Sequence, residues 1–357
     1  MTALFRLGID VTSAVDPRPT GVARYIRRLV AALRALDDPP EVILYHRARR
    51  RRRGDPTALF PDLEIRSLTW RVGQDLHAFH GPDARLPFSV RCAAAVTVHD
   101  LSAFERTDHA TPRFLRRKRR QIGDAIRRAD AVITHSPCVA DEIATRFPGA
   151  SSRVGSIPLA AAIPATFEST TRTLERRPVR LLVVGGPSVR KRSARIGPLL
   201  RYWRATLQWQ PSIDWVGSGS DEAAADLIAE LDAESASRVR FLGHVSDAEL
   251  DALYGSSDGL LQLSDTEGFA MPLVEAAVRD CPVLSIDAPV LRETIGSDGA
   301  FFFDDDLGAS SAAFRRFLEL GERQCAVSFA REHVRPWSWT ETARRTFERL
   351  RQLAESH

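Results

Sequence analysis

Short apolar runs alternate with amphipathic, helix-like patterns along the whole chain, and this alternation restricts the fold more than any other feature. In the first half, strands are predicted at Phe5–Ile9, Val42–Tyr45, Ala94–Val98 and Ala131–Thr134. In the second half, they are predicted at Val179–Val184, Ile213–Val216, Val239–Leu242, Gly259–Leu263 and Val283–Ile286. Helical segments between successive strands are typical of parallel sheets with crossover connections. The sequence therefore predicts two doubly wound α/β domains in tandem.

Two of the predicted helices have a well-defined apolar face. Between Val22 and about Leu36, apolar side chains recur at helical spacing, and arginines occupy most of the opposite face. A turn-rich loop, residues 16–21, precedes this helix. The last periodic segment, from Trp339 to about Leu353, is also amphipathic and is basic on one side.

A stretch without periodicity separates the two sets of strands. Residues 157–178 contain proline and threonine and predict an interdomain linker. A chain of 357 residues is too long for one ordinary core and suits two domains. We therefore predict a first domain formed by residues 1–165 and the C-terminal helix 339–357, and a second domain formed by residues 166–338.

Charge is distributed unequally along the chain. Residues 1–170 hold 27 Lys and Arg against 18 Asp and Glu, and the remainder holds 23 against 28. The arginine-rich segments Arg47–Arg53 and Arg113–Arg120 supply most of the excess. Each is either a solvated surface or a contact for an anionic membrane or an anionic lipid-linked substrate. Neither is interleaved with stacking aromatics, which argues against a nucleic-acid partner.

Cysteine usage and hydropathy give an expectation for the compartment. No apolar run approaches the roughly 18 residues of a membrane span, and the N-terminus predicts a strand rather than a secretory signal. The four cysteines have neither CxxC nor metal-ligand spacing, which predicts free thiols. We expect a cytoplasmic protein, with peripheral contact at the inner face of the membrane if the arginine segments bind lipid.

The most informative segment runs from Ser264 to Ala277, where a predicted strand leads into a helix with Pro272 in its first turn. Backbone N–H groups at such a helix start favour an anion. Glu267 and Glu275 flank this position, and ionised carboxylates accept hydrogen bonds from sugar hydroxyls. From the spacing alone, the simpler interpretation is that Glu267 is a capping carboxylate and Glu275 an ordinary helix residue.

Resemblance to a known family favours the functional interpretation of these two glutamates over the structural one. The segment Glu267–Glu275 (EGFAMPLVE) resembles the EGFGxPxxE motif of retaining GT-B glycosyltransferases, family 4 in particular. Further segments are similar to motifs of the same family in the same order, namely Gly21–Tyr25 (GxxRY), Val98–Ser102 (HDLS, as in its bacterial polysaccharide mannosyltransferases), Ile133–Ser136 (ITVS), Val183–Lys191 (VGxxxPRK), Val239–Val245 (VxFLGxV) and Trp337–Trp339 (FSW). The resemblance covers essentially the whole chain.

The resemblance implies the GT-B architecture, with two Rossmann-like domains facing a cleft and the C-terminal helix crossing back to the first domain. It implies that Glu275 holds the donor ribose. It also implies that Glu267 contacts the transferred sugar, helped by the backbone N–H groups of Phe269, Ala270 and Met271.

The remaining roles are implied in the same way. Arg190 and Lys191 would neutralise the diphosphate as the glycosidic bond breaks. Gly21 would let the backbone approach the diphosphate, and His99 would face the sugar. The backbone at His244 and Val245 would lie along the base.

The sequence departs from the family pattern at several positions. Ala270 replaces a glycine of the motif, and Gly185-Gly186 lacks an arginine that some relatives place there. Leu159–Ala161 lacks the usual linker glycine, and Arg279-Asp280 stands where AxG is common. None of these departures removes a group to which the resemblance assigns a catalytic role.

The resulting expectation is a retaining glycosyltransferase that needs no metal and no cofactor. It would move a hexose from a nucleotide-sugar donor to a glycan or lipid-linked acceptor in surface polysaccharide assembly. GDP-mannose is the first candidate donor, because of the mannosyltransferase-like segment at His99–Ser102. No strand end carries a DxD-like loop, and Asp304–Asp306 predicts a solvated turn.

Two other functions are alternatives to a glycosyltransferase. A nicotinamide oxidoreductase is disfavoured, since no GxGxxG follows the first strand of either domain. A non-catalytic protein that docks at a membrane on a degenerate glycosyltransferase fold stays open at this point.

Overall fold

The computed structural model describes residues 4–16, 20–47, 54–105, 110–161, 179–208, 210–217 and 221–357. The chain divides into two compact units. The first unit contains Met1–Leu159 and Trp337–His357, and the second contains Ala160–Pro336. The boundary predicted at residue 165, and all of the predicted linker beyond residue 161, lie outside the described residues.

The first unit is built on a parallel sheet. Its strands are β1 (Arg6–Asp10), β2 (Glu41–His46), β3 (Glu64–Ser67), β4 (Arg71–Val72), β5 (Ala78–Gly81), β6 (Ser89–Val90), β7 (Ala93–Thr97), β8 (Ala131–Thr134) and β9 (Val154–Ser156). Seven of them form one sheet in the order β3-β2-β1-β5-β7-β8-β9, and β4 pairs with β6 in a separate ribbon. All of these pairings are parallel.

Helices cover this sheet. They are α1 (Gly21–Arg34), α2 (Pro56–Leu59), α3 (Ser102–Glu105), α4 (Pro112–Arg128) and α5 (Pro137–Arg146). Thr20 caps α1, its Oγ1 accepting from the N–H of Ala23 at 3.3 Å. The apolar face predicted for this helix is buried, including Tyr25, Ile26 and Leu29.

The second unit repeats the plan. Its strands are β10 (Arg180–Val184), β11 (Ser212–Val216), β12 (Val239–Gly243), β13 (Gly259–Gln262), β14 (Val283–Ile286) and β15 (Phe301–Phe303), in the parallel order β12-β11-β10-β13-β14-β15. Its helices are α6 (Ile196–Leu207), α7 (Asp221–Ala229), α8 (Ala233–Ala236), α9 (Asp247–Ser256), α10 (Met271–Ala277), α11 (Pro289–Ile295), α12 (Leu307–Leu318) and α13 (Leu320–Val334).

The C-terminal helix α14 (Trp339–Glu355) belongs to the first unit, where it packs against α1. Ser338 caps it, accepting from the N–H of Glu341 at 3.0 Å. Thr342 donates to the carbonyl of Pro158 at 2.8 Å. The return of this helix to the first domain, which the resemblance implied, is therefore observed.

Every strand predicted from the sequence is present, with its ends within two residues of the predicted ones. The strands that were not predicted from the sequence are short or polar, such as β3 (EIRS) and β9 (VGS). Three or four residues give too little periodicity to predict a strand. The four cysteines are free, as predicted. In the described part of the chain, no helix combines the length and the apolar character that a membrane crossing requires.

The order of strands locates the functional region of each unit. In both sheets the order reverses beside the first strand, between β1 and β5 and between β10 and β13. Ligands of open α/β sheets bind beyond the carboxyl ends of the strands at such switch points. The loops that follow these strands are therefore where the candidate residues must lie.

Candidate active site

A buried ion-pair cluster lies at the switch point of the second unit. Lys191 Nζ lies 2.6 Å from Glu267 Oε1, and Arg190 donates to Glu267 Oε2 at 3.2 Å. The two cations come from the loop after β10, and the glutamate comes from the loop after β13. The structure thus brings together three residues that the sequence analysis placed in one site.

The electrostatics of this cluster favour an ionised glutamate. The Glu267 side chain is only 10% exposed. Burial opposes its ionisation, but the charges of Lys191 and Arg190 outweigh burial and lower the pKa of Glu267 to about 2. Glu267 is therefore an acceptor for hydroxyl groups at neutral pH, and not a general acid.

Gly185 makes room for the lysine. Its φ is +115°, and a Cβ at this position would lie 2.8 Å from Lys191 Cε. Trp215 fixes the same turn by donating its indole N–H to the carbonyl of Gly185 at 2.7 Å. The absence of a side chain at Gly185 therefore leaves space through which Lys191 reaches Glu267.

Arg192 links the loop that follows β10 to the loops that follow β13 and β15. It donates to Asp265 at 2.7 Å and to both carboxylate oxygens of Asp305, at 2.6 and 2.8 Å. Asp306 caps α12, accepting from the N–H of Ala309 at 2.7 Å. The acidic run 304–306 is exposed, as predicted, but all three of its carboxylates have structural partners, since Asp304 accepts from the N–H of Asp306 at 2.8 Å. Arg192 is not predicted from the sequence, because nothing local marks its partners.

The start of α10 explains one departure from the family pattern. Ala270 precedes the helix with φ 55° and ψ 60°, a left-handed conformation that costs a non-glycine residue roughly 1–2 kcal/mol. Thr294 supports the preceding turn by donating to the carbonyl of Phe269 at 2.6 Å. Because α10 has only seven residues, its dipole is small, and Arg190 and Lys191 supply most of the positive potential.

Glu275 is held on α10 by a buried tyrosine. Tyr254, which is 1% exposed, donates its hydroxyl to Glu275 Oε2 at 3.0 Å. Burial and the Glu275 charge raise the pKa of Tyr254 well above its usual value, so the hydroxyl keeps its proton. Arg279 lies over the Tyr254 ring at 5.4 Å and donates through Nε to Asp251 at 2.9 Å. Glu275 is predicted from the sequence, whereas Tyr254, Arg279 and Asp251, which support it, are not.

The candidates for the nucleobase lie further along the same edge. His244 and Val245 directly follow β12, which is two strands away from β10 in the sheet. His244 is exposed.

In the first unit, the equivalent edge is rich in histidine. His99 Nδ1 lies 3.0 Å from His135 Nε2, and His99 Nε2 lies 2.8 Å from the carbonyl of Pro82. The Tyr25 ring of α1 packs edge-on against both imidazoles, with centroids 5.0–5.1 Å apart. Both ring nitrogens of His99 are thus engaged by the protein. His135 was missed in the sequence analysis as a functional candidate.

A third histidine lies beneath this pair. His80 is fully buried, and its Nε2 lies 2.8 Å from Thr97 Oγ1, which is also 3.1 Å from the Tyr25 hydroxyl. Burial and the neighbouring His99 lower the pKa of His80 to about 3, so the ring is neutral. His80 therefore contributes to the shape of this edge and not to its charge.

Gly21 is the first residue of α1. A Cβ built there would meet no atom within 4 Å. Packing of the protein therefore does not explain a glycine at this position, and the approach of a ligand to the backbone stays the prediction.

Comparisons with known proteins point to glycosyltransferases. Residues 168–331 match the family model for glycosyl transferases group 1. The chain is 24% identical over 274 residues to the O-antigen chain mannosyltransferase B of Escherichia coli, covering 74% of this chain and 71% of the relative. Sucrose-phosphate synthase of Thermosynechococcus elongatus superposes with a TM-score of 0.74 over 99% of this chain and all of that one, at 18% identity.

The protein is a GT-B glycosyltransferase. A further GT-B structure, Anabaena HepE in complex with UDP and glucose, matches this glycosyltransferase with a TM-score of 0.68 at 15% identity, over 98% of this chain and all of that one. At such identities the structural likeness establishes the fold alone.

The two arginine segments of the glycosyltransferase differ in what the structure describes. Of Arg47–Arg53, only Arg47 is described, and the rest lies outside the described residues. The segment Arg113–Arg120 lies on α4, where Arg113, Arg116, Arg117 and Arg120 are exposed. Lys118 instead pairs with Asp83 at 3.1 Å, and Arg119 donates to the carbonyl of Ala103. Part of this segment is therefore structural.

Proposed function

We propose that this glycosyltransferase moves a hexose from a nucleotide-diphosphate donor to a glycan or lipid-linked acceptor, with retention of configuration and without a metal ion. The observation that carries the proposal is the Glu267–Lys191–Arg190 cluster at the switch point of the second unit. It combines a carboxylate for hydroxyl recognition with two cations for a leaving diphosphate.

The cluster accounts for the leaving group. Lys191 and Arg190 both contact the Glu267 carboxylate. In the proposal, a donor diphosphate binds these two cations, and Glu267 contacts the hydroxyls of the hexose. Cations already in place stabilise the negative charge that develops as the glycosidic bond breaks. The same role is often filled by a divalent ion, and this supports the proposal of metal independence.

Glu275 and Tyr254 form the proposed ribose site. The carboxylate accepts from the two ribose hydroxyls, and the Tyr254 hydroxyl keeps it in one orientation. Accepting two hydrogen bonds from a diol requires the ionised form. The proposal therefore separates nucleotide binding, which depends on Glu275, from transfer of the sugar, which depends on Glu267, Lys191 and Arg190.

Mannose is the proposed sugar and GDP-mannose the proposed donor. This rests on the similarity to the O-antigen chain mannosyltransferase B and on the His99–Ser102 segment, with His99 contacting the transferred sugar. Assembly of a surface polysaccharide is proposed on the same ground.

The first prediction concerns donor and stereochemistry. We expect the protein to release GDP from GDP-mannose slowly in water, and faster with a mannose-terminated oligosaccharide acceptor, at a rate unchanged by EDTA. ¹H NMR of the product should show the α-anomer, the configuration of the donor. A β-linked product would contradict retention, and loss of activity in EDTA restored by Mg²⁺ or Mn²⁺ would contradict metal independence.

An exposed surface of the first unit supports the proposed lipid-linked acceptor. Trp70 and Phe88 are 67% and 76% exposed and stack on each other, with centroids 5.7 Å apart. Arg128, at the end of α4, donates to the carbonyl of Phe88 at 2.7 Å. The exposed arginines of α4 lead from there to Phe114, which is 42% exposed. Aromatic rings and arginines together suit an anionic bilayer surface.

The second prediction follows from that surface. The protein should co-sediment with phosphatidylglycerol vesicles and not with phosphatidylcholine vesicles. Changing Arg113, Arg116, Arg117 and Arg120 to Gln should weaken binding on the order of 1,000-fold, since each arginine near an anionic surface contributes about 1 kcal/mol. Trp70→Ser with Phe88→Ser should also weaken it, and Phe329→Ser, at an exposed ring of the second unit, should not. Equal binding by all variants would remove the proposal of membrane contact.

A further inference from the structure

His99 and His135 form a continuous chain of hydrogen-bonding contacts at the carboxyl ends of β7 and β8. The chain begins at the carbonyl of Pro82, 2.8 Å from His99 Nε2. It passes through the contact of 3.0 Å between His99 Nδ1 and His135 Nε2, and ends at the carbonyl of Ile157, 3.1 Å from His135 Nδ1. Every ring nitrogen of the two residues therefore takes part in it.

Counting protons along this chain fixes its charge. A carbonyl oxygen only accepts, so His99 Nε2 and His135 Nδ1 must both carry a proton. Two neutral imidazoles hold two protons in total, which would leave two lone pairs facing each other at the central contact. A third proton removes that repulsion and completes the chain. The observed geometry is therefore that of two rings that hold three protons and carry one positive charge.

Burial opposes charge on both rings, whereas nearby carboxylates favour a charge on His99. Burial lowers the pKa of His99 and lowers that of His135 further. The carboxylates of Asp83 and Asp100 favour the charge on His99, whereas Lys118 opposes it. His80 is neutral and Tyr25 retains its proton, since burial raises its pKa. The balance suits one proton taken up by the pair, and not one by each ring.

We infer that His135 is a positioning residue, which fixes the ring of His99 through a single proton shared between His99 Nδ1 and His135 Nε2. The two residues therefore titrate as one group. Because both nitrogens of His99 are engaged, a substrate meets the edge of its ring and the charge of the pair. His135 determines the orientation of that ring and the protonation of the pair. Any effect on catalysis rests on the proposed function, in which His99 contacts the transferred sugar. The shared proton itself does not depend on that function.

Two substitutions separate positioning from mere packing. His135→Gln places an amide N–H near the position of Nε2, so it donates to His99 Nδ1 at every pH and does not titrate. His135→Leu keeps the volume and removes the donor. His357→Gln, an exposed histidine at the C-terminus, is the matched control.

The direct readout needs no substrate. In protein with ¹⁵N-labelled histidine, long-range ¹H–¹⁵N correlation spectra recorded from about pH 8 downward, through and below the usual range of histidine, should show both rings changing in one common step. Because the pKa of each ring is lowered, that step should lie on the acidic side of the usual histidine pKa. On the acidic side of that step, the spectra should show three N–H groups in the pair. In His135→Gln, His99 should keep its Nε2–H form without that step. Two independent titrations in the wild type would overturn the inference.

Donor hydrolysis supplies the second readout. We expect His135→Leu to lower kcat about 10- to 100-fold, since a misplaced ring is costly, with little change in KM. His135→Gln should restore kcat and abolish the pH step that the wild type shows. A His135→Gln variant that folds and yet has the kcat of His135→Leu would contradict positioning. Absence of hydrolysis in the wild type would contradict the proposed function, and the NMR titration would still decide the shared proton.

Discussion

We expect Lys191→Met to lower the rate of donor hydrolysis and of sugar transfer at least about 100-fold, which corresponds to about 2.7 kcal/mol of lost transition-state stabilisation. The reason is the position of Lys191 Nζ, 2.6 Å from a carboxylate at the switch point of the second unit. When the diphosphate leaves, this cation is in place and needs no reorganisation. Its loss leaves Arg190 alone to stabilise the new charge.

The same substitution should change the titration of Glu267. Lys191 is the largest of the charges that lower the pKa of this buried carboxyl, so its removal raises the pKa. The residual activity of Lys191→Met should therefore decline as the pH falls, over a pH range in which Glu267 of the wild type stays ionised. The sign follows from the depressed pKa, because the ionised form is lost only as pH falls through it.

Stopped-time assays of nucleoside diphosphate release check this prediction. Arg351→Met, an exposed arginine of α14, controls for the loss of a surface cation. A double variant with Glu267→Gln should lose less than the two single losses together, because the residues act on each other directly. Near wild-type release by folded Lys191→Met would show that the diphosphate binds elsewhere.

We expect Glu275→Gln to weaken the binding of a nucleoside diphosphate about 10- to 100-fold, or roughly 1.4–2.8 kcal/mol. In the proposed site, the ionised carboxylate accepts from both ribose hydroxyls, whereas glutamine would offer one acceptor and turn a donor toward the second hydroxyl. The backbone of α10 is unchanged, and Tyr254 keeps an oxygen to which it can donate. The loss should therefore appear in affinity and only weakly in the rate at saturating donor.

Isothermal titration with GDP and UDP measures this effect. Tyr254→Phe should weaken binding by a smaller factor, since it leaves the carboxylate but frees its orientation. Glu355→Gln, exposed at the end of α14, should bind as the wild type does. If Glu275→Gln binds nucleotide normally while the wild type turns over donor, the ribose is held by other residues.

The fold was largely predictable because its strands are regular and its helices amphipathic. Runs such as Val283–Ile286 are apolar throughout, as buried parallel strands are, and the helix from Gly21 repeats at helical spacing. Once parallel α/β sheets were predicted, the binding edge followed from topology. Glu267 and Glu275 could be found because they belong to one contiguous segment.

The partners of these residues were not predictable in the same way. Lys191 and Glu267 are 76 residues apart in sequence, and Tyr254 and Glu275 are 21 apart. Their contacts depend on which strand ends lie side by side, and that is decided by the whole sheet. His135 gave a signal that was not used, since it departs from the ITVS pattern next to a strand end.

Two departures from the family pattern have a common physical cause. Ala270, which replaces a glycine of the motif, and Asp280, which belongs to the Arg279-Asp280 departure from AxG, both adopt left-handed backbone conformations, with φ of 55° and 51°. The backbone therefore keeps a shape that glycine adopts without strain. Asp280 tolerates it better than alanine does, and its carboxylate pairs with Arg331. The sequence showed the substitutions but not that the conformation had been retained.

The release of nucleoside diphosphate from a panel of nucleotide sugars tests the central claim most directly. We predict that the wild-type protein releases GDP from GDP-mannose at a measurable rate, and that Glu267→Gln and Lys191→Met, both folded, do not. Release from a different nucleotide sugar, lost in the same variants, would correct the donor and preserve the site. No binding or release with any donor, by protein shown to be folded, would contradict the account and favour a non-catalytic role.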